Sequence, residues 1–181
     1  MLHGIKILDF SRSLAGPICS RILSDLGAEV IKVDSKQGDM FYKYPPLVEG
    51  LSWFFIHSSS GKKSICIDLK KDKGKEIIKR LVRNVDVVLE NFRPGVLESL
   101  NLDYKILKKE NPSLIMCSIT GIGPLDDKPY YATLVHALSG ITNFTRVNNP
   151  EDIPYGLPFN FADTITGLFS AIAILSSLLN R

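Results

Sequence analysis

The run IKILDFSRSLAGPICSRILSDLGAEVIKVD, Ile5 to Asp34, decides the fold. Ile5 to Asp9 is a short apolar run, and Pro17 stands where a helix can begin. Ile18 to Leu26 then repeats apolar residues at helical spacing before Gly27 offers a C-terminal cap. Glu29 to Val33 reads as a second strand. Strand, turn, helix and strand in so short a span make a βαβ unit, which calls for parallel strands in a sheet covered by helices. The turn inside it, Ser11 to Pro17, falls outside the carboxyl end of the first strand, where open α/β sheets bind ligands. It has no GxGxxG. With Gly16 alone there, a nicotinamide dinucleotide finds no fingerprint loop, despite Asp34 after the second strand.

The alternation continues outward from this unit. Ser64 to Leu69 reads as a strand, Asp72 caps a helix running to about Arg83, and Asp86 to Leu89 is a strand closed by the turn Glu90 to Gly95. Asp103 to Glu110 makes an amphipathic helix and Leu114 to Ile119 a fifth strand. The expected fold is α/β: a Rossmann-like, mostly parallel open sheet with helices on both faces, over residues 1–181. Asp39 to Leu51, rich in aromatics and prolines, reads as a long loop, and Trp53 to Ile56 as an apolar cluster bound for the core. Ser58 to Lys63 is a polar loop whose Lys62 and Lys63 suit a phosphate, although the GxxxxGK[ST] spacing is missing. Beyond Gly121 come a Gly/Pro/Asp loop to Pro129 and a short helix from Tyr130 to Ser139 that carries His136, read as a packed residue. A turn-rich segment from Asn148 to Pro158 follows.

At 45% hydrophobic and 23% charged the composition is that of an ordinary globular domain. The net charge of +3 is mild, and the lysines of 70–79 and 105–110 are mixed with acids, so they read as solvated helix faces and not as a nucleic-acid surface. Cys19, Cys66 and Cys117 are widely spaced in apolar context, without CxxC or metal spacing. They are expected to be reduced core residues of a cytoplasmic protein. Lys6, Asp9, Arg12 and Arg21 interrupt any apolar signal core. The apolar run Thr164 to Leu179 is shorter than the roughly 20 residues of a membrane span and carries several hydroxyls, so a buried helix and no membrane association are expected.

That run is entered through Pro158-Phe159-Asn160-Phe161-Ala162-Asp163. A carboxylate at the mouth of an apolar helix is either its N-cap or a chemical group that the helix holds, and spacing alone favours the cap.

The ordered set of motifs resembles the class III CoA-transferases, the group of formyl-CoA transferase, carnitine CoA-transferase and α-methylacyl-CoA racemase. It rests on Ile7 to Ser11 with Leu14 to Pro17, on Leu26 to Asp34, on Lys63 to Ile65 with Asp68 to Lys70, on Glu90 to Val96, on Ser139-Gly140, and on Ala162-Asp163 with Gly167. The resemblance implies that Asp163 is a nucleophile. It would attack an acyl-CoA thioester to give a mixed anhydride, then carry CoA as an aspartyl thioester until an acceptor carboxylic acid takes it. A helix N-terminus favours the anion, so cap and nucleophile are compatible.

The resemblance also implies where CoA or acyl-CoA binds, as substrate and not as a permanent cofactor, with no metal. Leu14 and Ala15 would lie beside the thioester, and Ile67, Asp68, Leu69 and Lys70 would line the adenine region with Lys70 toward a phosphate. Asn91, Phe92 and Arg93 would face the ligand. Formyl-CoA transferase has a glutamine where this chain has Leu14, which argues against formyl or oxalyl specificity. It has an arginine at Ser35, for which the adjacent Lys36 can substitute, a lysine at Tyr130 and an arginine at Ser99. The racemase branch places its histidine at Tyr131, and His136 stands on another helical face, so transfer ranks above racemisation. A non-catalytic CoA-binding protein is the reading from another class. Family members are roughly twice this length and interlock as dimers, so a homodimer or a partner carrying a C-terminal half is expected, together with acyl-CoA and a carboxylic acid.

Overall fold

The computed structural model describes residues 1–123, 128–144, 151, 157 and 160–181. Five strands form one parallel sheet: β1 (Lys6–Asp9), β2 (Glu29–Asp34), β5 (Lys63–Cys66), β6 (Val87–Glu90) and β7 (Ile115–Ser118). Their order is β5-β2-β1-β6-β7, and a separate hairpin pairs β3 (Leu47–Val48) with β4 (Leu51–Ser52). Taking the five strands in chain order, the sheet runs 3-2-1-4-5, the doubly wound arrangement whose crossovers diverge between β1 and β6.

Both faces of the sheet are covered, which is why its central strands read as unbroken apolar runs. On one face Leu8, Val33 and Val88 pack with Ile78 and Val82 of α3 (Asp72–Val82) and Leu107 of α5 (Tyr104–Glu110). On the other, Ile7, Val30, Val87 and Leu89 pack with Cys19 and Leu23 of α1 (Ala15–Asp25) and with Ala171 and Ile174 of α8 (Phe161–Leu179). The βαβ reading of Ile5 to Asp34 holds throughout. Gly27, at φ 101°, ends α1 with its N–H donating to the Ser24 carbonyl while Ala28 N–H donates to Leu23, a Schellman turn.

Several expectations need correction. Asp72 is the first residue of α3 and not its cap, with Lys71 at the cap position and making no side-chain capping bond. The long loop after β2 contains a 3-10 turn, Met40–Lys43, and the β3–β4 hairpin. Trp53 to Ile56 belongs to α2 (Trp53–Ser59) and is not core: Trp53 is 48% exposed and stacks on His57 one turn later, while Phe54 and Phe55 pack edge-on against Phe41, Tyr44 and Tyr42. All three cysteines are free, but only Cys19 is buried. The short helix expected from Tyr130 to Ser139 is present as α6 (Ala132–Leu138) and is followed, beyond Gly140, by an unexpected turn of helix, α7 (Ile141–Phe144); α4 (Val96–Ser99) precedes both in the chain. The turn-rich segment expected from Asn148 to Pro158 lies outside the described residues apart from Glu151 and Leu157.

The expected buried helix is α8, and it is buried along a single stripe, Gly167, Ala171 and Ile174, while Leu168, Phe169 and Ile172 are exposed. Among the described residues it is the one helix long and apolar enough to cross a membrane by length and composition.

Candidate active site

Of the cavities outside the carboxyl ends of the strands, two carry most of the expected site residues, and Phe92 lines both. The larger, about 510 Å³, is walled by the ends of β2 and β5 and by the β6 turn: Asp34 to Gln37, Ile67 to Lys70, Phe92, Val96, Ser99 and Leu100. Five of the expected CoA contacts, Lys36, Ile67, Asp68, Leu69 and Lys70, therefore come together around it with Phe92. Arg12 joins them, its guanidinium 5.5 Å from the Phe92 ring centroid. Sequence reasoning passed over Arg12. Its position in the first strand-to-helix turn was the available signal.

The smaller cavity, about 160 Å³, holds Asp163 with Ala15, Asn91, Arg93, Thr120, Lys128, Tyr130 and Thr166. Leu14 is buried beneath the turn and lines neither cavity. The Asn91 side chain is engaged with backbone: its Oδ1 accepts from Arg12 N–H and its Nδ2 donates to the Arg12 carbonyl, both at 2.8 Å. It ties the β6 turn to the β1 turn.

Asp163 is not the N-cap of α8, as spacing alone suggested. Asn160 occupies that position, and Asp163 sits in the first helical turn. Burial pushes its carboxyl above the ordinary carboxylate range, opposed by the nearby N–H groups of Asp163 itself and of Ala15. Ala15 is the first residue of α1, so two helix N-termini converge on one carboxylate. The close approach of the two helices depends on Gly167, one turn beyond Asp163: a Cβ there would stand 2.8 Å from the Ala15 carbonyl oxygen and 2.9 Å from Ile18.

The β1 turn that presents Ala15 is fastened from beneath by two buried lysines. Lys32 Nζ donates to the Ser11 carbonyl at 2.9 Å and pairs with Asp39 at 3.3 Å. Lys62 Nζ donates to the Pro17 carbonyl at 2.9 Å and to Ser20 Oγ at 2.7 Å, and pairs with Asp9 at 3.3 Å. The phosphate reading is thereby overturned for Lys62. Lys62 has a side chain 2% exposed and is anchored inward, and Lys63 pairs at the surface with Glu29. Among the described residues there is no group of three or more His, Cys, Asp or Glu side chains arranged to hold a metal.

Residues 2–181 match the family model of CoA-transferase family III. The chain belongs to CoA-transferase family III. Its relatives include the succinate–glutarate CoA-transferase of Agrobacterium fabrum, 40% identical over 190 residues that cover 99% of this chain and 47% of that protein. The human succinyl-CoA:glutarate CoA-transferase is 38% identical over 185 residues, covering 99% of this chain and 42% of that protein. Among solved structures, a CAIB/BAIF family protein from Brucella suis superposes with a TM-score of 0.92 at 41% identity, over 99% of this chain and 49% of that one. This family III chain thus spans about half the length of the relatives it matches. The expectation drawn from its motifs is borne out at the level of the family and of the fold.

Proposed function

We propose that this chain takes part in CoA transfer from an acyl-CoA to a carboxylic acid, with Asp163 as the nucleophile. The observation that carries the reading is the lone half-buried carboxylate of Asp163, in a cavity adjoining a larger one edged by Lys36 and Lys70. A 3′-phosphorylated nucleotide with a pyrophosphate suits those lysines and Arg12, and Phe92 stands where its pantetheine arm would pass toward Asp163.

In the proposed reaction an Asp163 carboxylate oxygen attacks the thioester carbonyl, the carbon–sulfur bond breaks, and the CoA thiolate leaves. The thiolate then attacks the Asp163 carbonyl of the resulting mixed anhydride, expelling the donor acid and leaving CoA on Asp163 as a thioester. The acceptor carboxylate attacks that thioester, and returning thiolate attacks the new acyl carbonyl, restoring the Asp163 carboxylate. Splitting the exchange in this way replaces one difficult displacement by easier ones. The Ala15 N–H, close to the carboxylate, would steady negative charge that develops there.

The names of the Agrobacterium and human relatives, together with Arg93 and Lys128 at the smaller cavity, support a short dicarboxylic acid as acyl group. Transfer stays ahead of racemisation because the one imidazole near Asp163, that of His136, has Nε2 engaged by Ala162 N–H and is buried.

The test is intact mass after brief incubation with succinyl-CoA, for wild type and Asp163→Ala, alone and with a polypeptide matching the remaining length of the relatives. A CoA adduct in wild type that is absent from the variant is expected. An adduct that persists in the variant removes Asp163 from the chemistry, and CoA binding without any adduct leaves a binding protein.

A further inference from the structure

An α-helix leaves the N–H groups of its first turn without partners inside the helix. In α8 the first ladder bond runs from Thr164 N–H to the Asn160 carbonyl, so Phe161, Ala162 and Asp163 must find partners elsewhere. Asn160, at the cap position, makes no side-chain capping bond. Ala162 N–H donates instead to His136 Nε2, 3.0 Å away on α6 and 26 residues earlier in the chain. A ring nitrogen that accepts carries no proton, so the neutral His136 ring holds its proton on Nδ1. The ring is 4% exposed, and Phe161 lies 6.5 Å from it, centroid to centroid.

We propose that His136 is a positioning residue: it caps α8 from a neighbouring helix and so fixes the turn that holds Asp163 toward its substrate. Ordinary N-caps are local, supplied by the residue that opens the helix. This one comes from α6, whose Ala132 and Val135, with Tyr131 at its cap position, wall the cavity that Asp163 floors. The bond therefore joins wall to floor, at the residue just before the carboxylate. A side chain with an acceptor at the same reach preserves the bond, and an apolar one of similar size removes it while keeping the packing.

The inference deepens the transferase reading, on which its chemical arm rests, so the experiment has a second arm that needs no turnover. Amide hydrogen exchange is measured by NMR on wild type, His136→Gln and His136→Leu, alongside the rate of CoA-adduct formation from succinyl-CoA. Exchange at Ala162 is expected to accelerate about tenfold in the Leu variant and to be restored in the Gln variant. Amides at Ala171 and Ile174 should stay unchanged. The adduct rate should fall about tenfold in the Leu variant and recover in the Gln variant, with the CoA dissociation constant unaltered. Equal Ala162 exchange in all three proteins overturns the proposal, as does loss of protection along the whole of α8, which would mark a packing role. If wild type forms no adduct, the transferase reading fails while Ala162 exchange still decides the cap.

Discussion

Asp163 is held in a surrounding that favours its neutral form. Burial raises its folded-state affinity for a proton above that of the unfolded chain, more than the N–H groups of Asp163 and Ala15 lower it. A carboxyl whose pKa is raised on folding contributes stability below the unfolded pKa, near 3.9, and that contribution is lost as pH rises through the folded value. At neutral pH the ionised group therefore destabilises the fold. Asp163→Asn is expected to melt above wild type at pH 7, with the gap closing below about pH 4, while the CoA adduct is lost. Thermal unfolding across that pH range checks it; a variant less stable than wild type at pH 7 would mean that the surrounding donors outweigh burial. At this scale the sequence was informative about Asp163, because a carboxylate opening an apolar run stands out. It placed His136 as a packed residue, as its burial bears out, but gave no sign of its partner, 26 residues away on another helix. It misled at Lys62, where a polar loop that looked free to take a phosphate proved to be closed by Asp9 and Pro17, both far from Lys62 in the chain.

Among the elements, the crossing of α1 and α8 sets the height of the site. Gly167 lets the two backbones approach, and the atom that an added Cβ would meet is the Ala15 carbonyl oxygen, which belongs to the backbone and cannot rotate away. Replacing a helical glycine by alanine gains about 1 kcal/mol in propensity, while overpacking costs about 1–3 kcal/mol. Gly167→Ala is thus expected to lower stability by about 1 kcal/mol in urea unfolding and to slow adduct formation disproportionately, because the displacement falls one turn from Asp163. Unchanged stability together with an unchanged adduct rate would show that the helices separate without consequence. Strand and helix order was legible because the apolar periods are strong and Gly27 marks a helix end. The aromatic run of α2 was misread because four adjacent apolar residues look alike whether they enter a core or ride a half-exposed helix. The stripe on α8 was hidden for the reverse reason: a helix apolar on all sides does not announce which side is covered.

At the scale of the whole molecule, the 3-2-1-4-5 order gathers the turns after β1 and β6 at the point where the crossovers diverge, and both cavities open there. That placement was legible from the first thirty residues, since any βαβ unit puts its turn at the carboxyl edge. The division into two cavities was not, because it depends on Phe92 and on the tie between Asn91 and Arg12 across the chain. The lysines at this edge fall into two populations. Lys36 and Lys70 are exposed at the larger cavity, whereas the side chains of Lys32 and Lys62 are 3% and 2% exposed beneath the turn. Dissolved ions screen charges in water over about 10 Å at 0.1 M and reach buried pairs far less. Ionic strength should therefore separate capture from architecture. Between about 0.05 M and 0.5 M NaCl, CoA is expected to bind several-fold more weakly by calorimetry, with a shallower dependence in Lys70→Ala and little change in melting temperature. A salt-independent dissociation constant would take the exposed lysines out of ligand capture. With its charges set at two depths, this edge would register a change of salt in how long a polyanion stays, while the scaffold that receives it keeps its form.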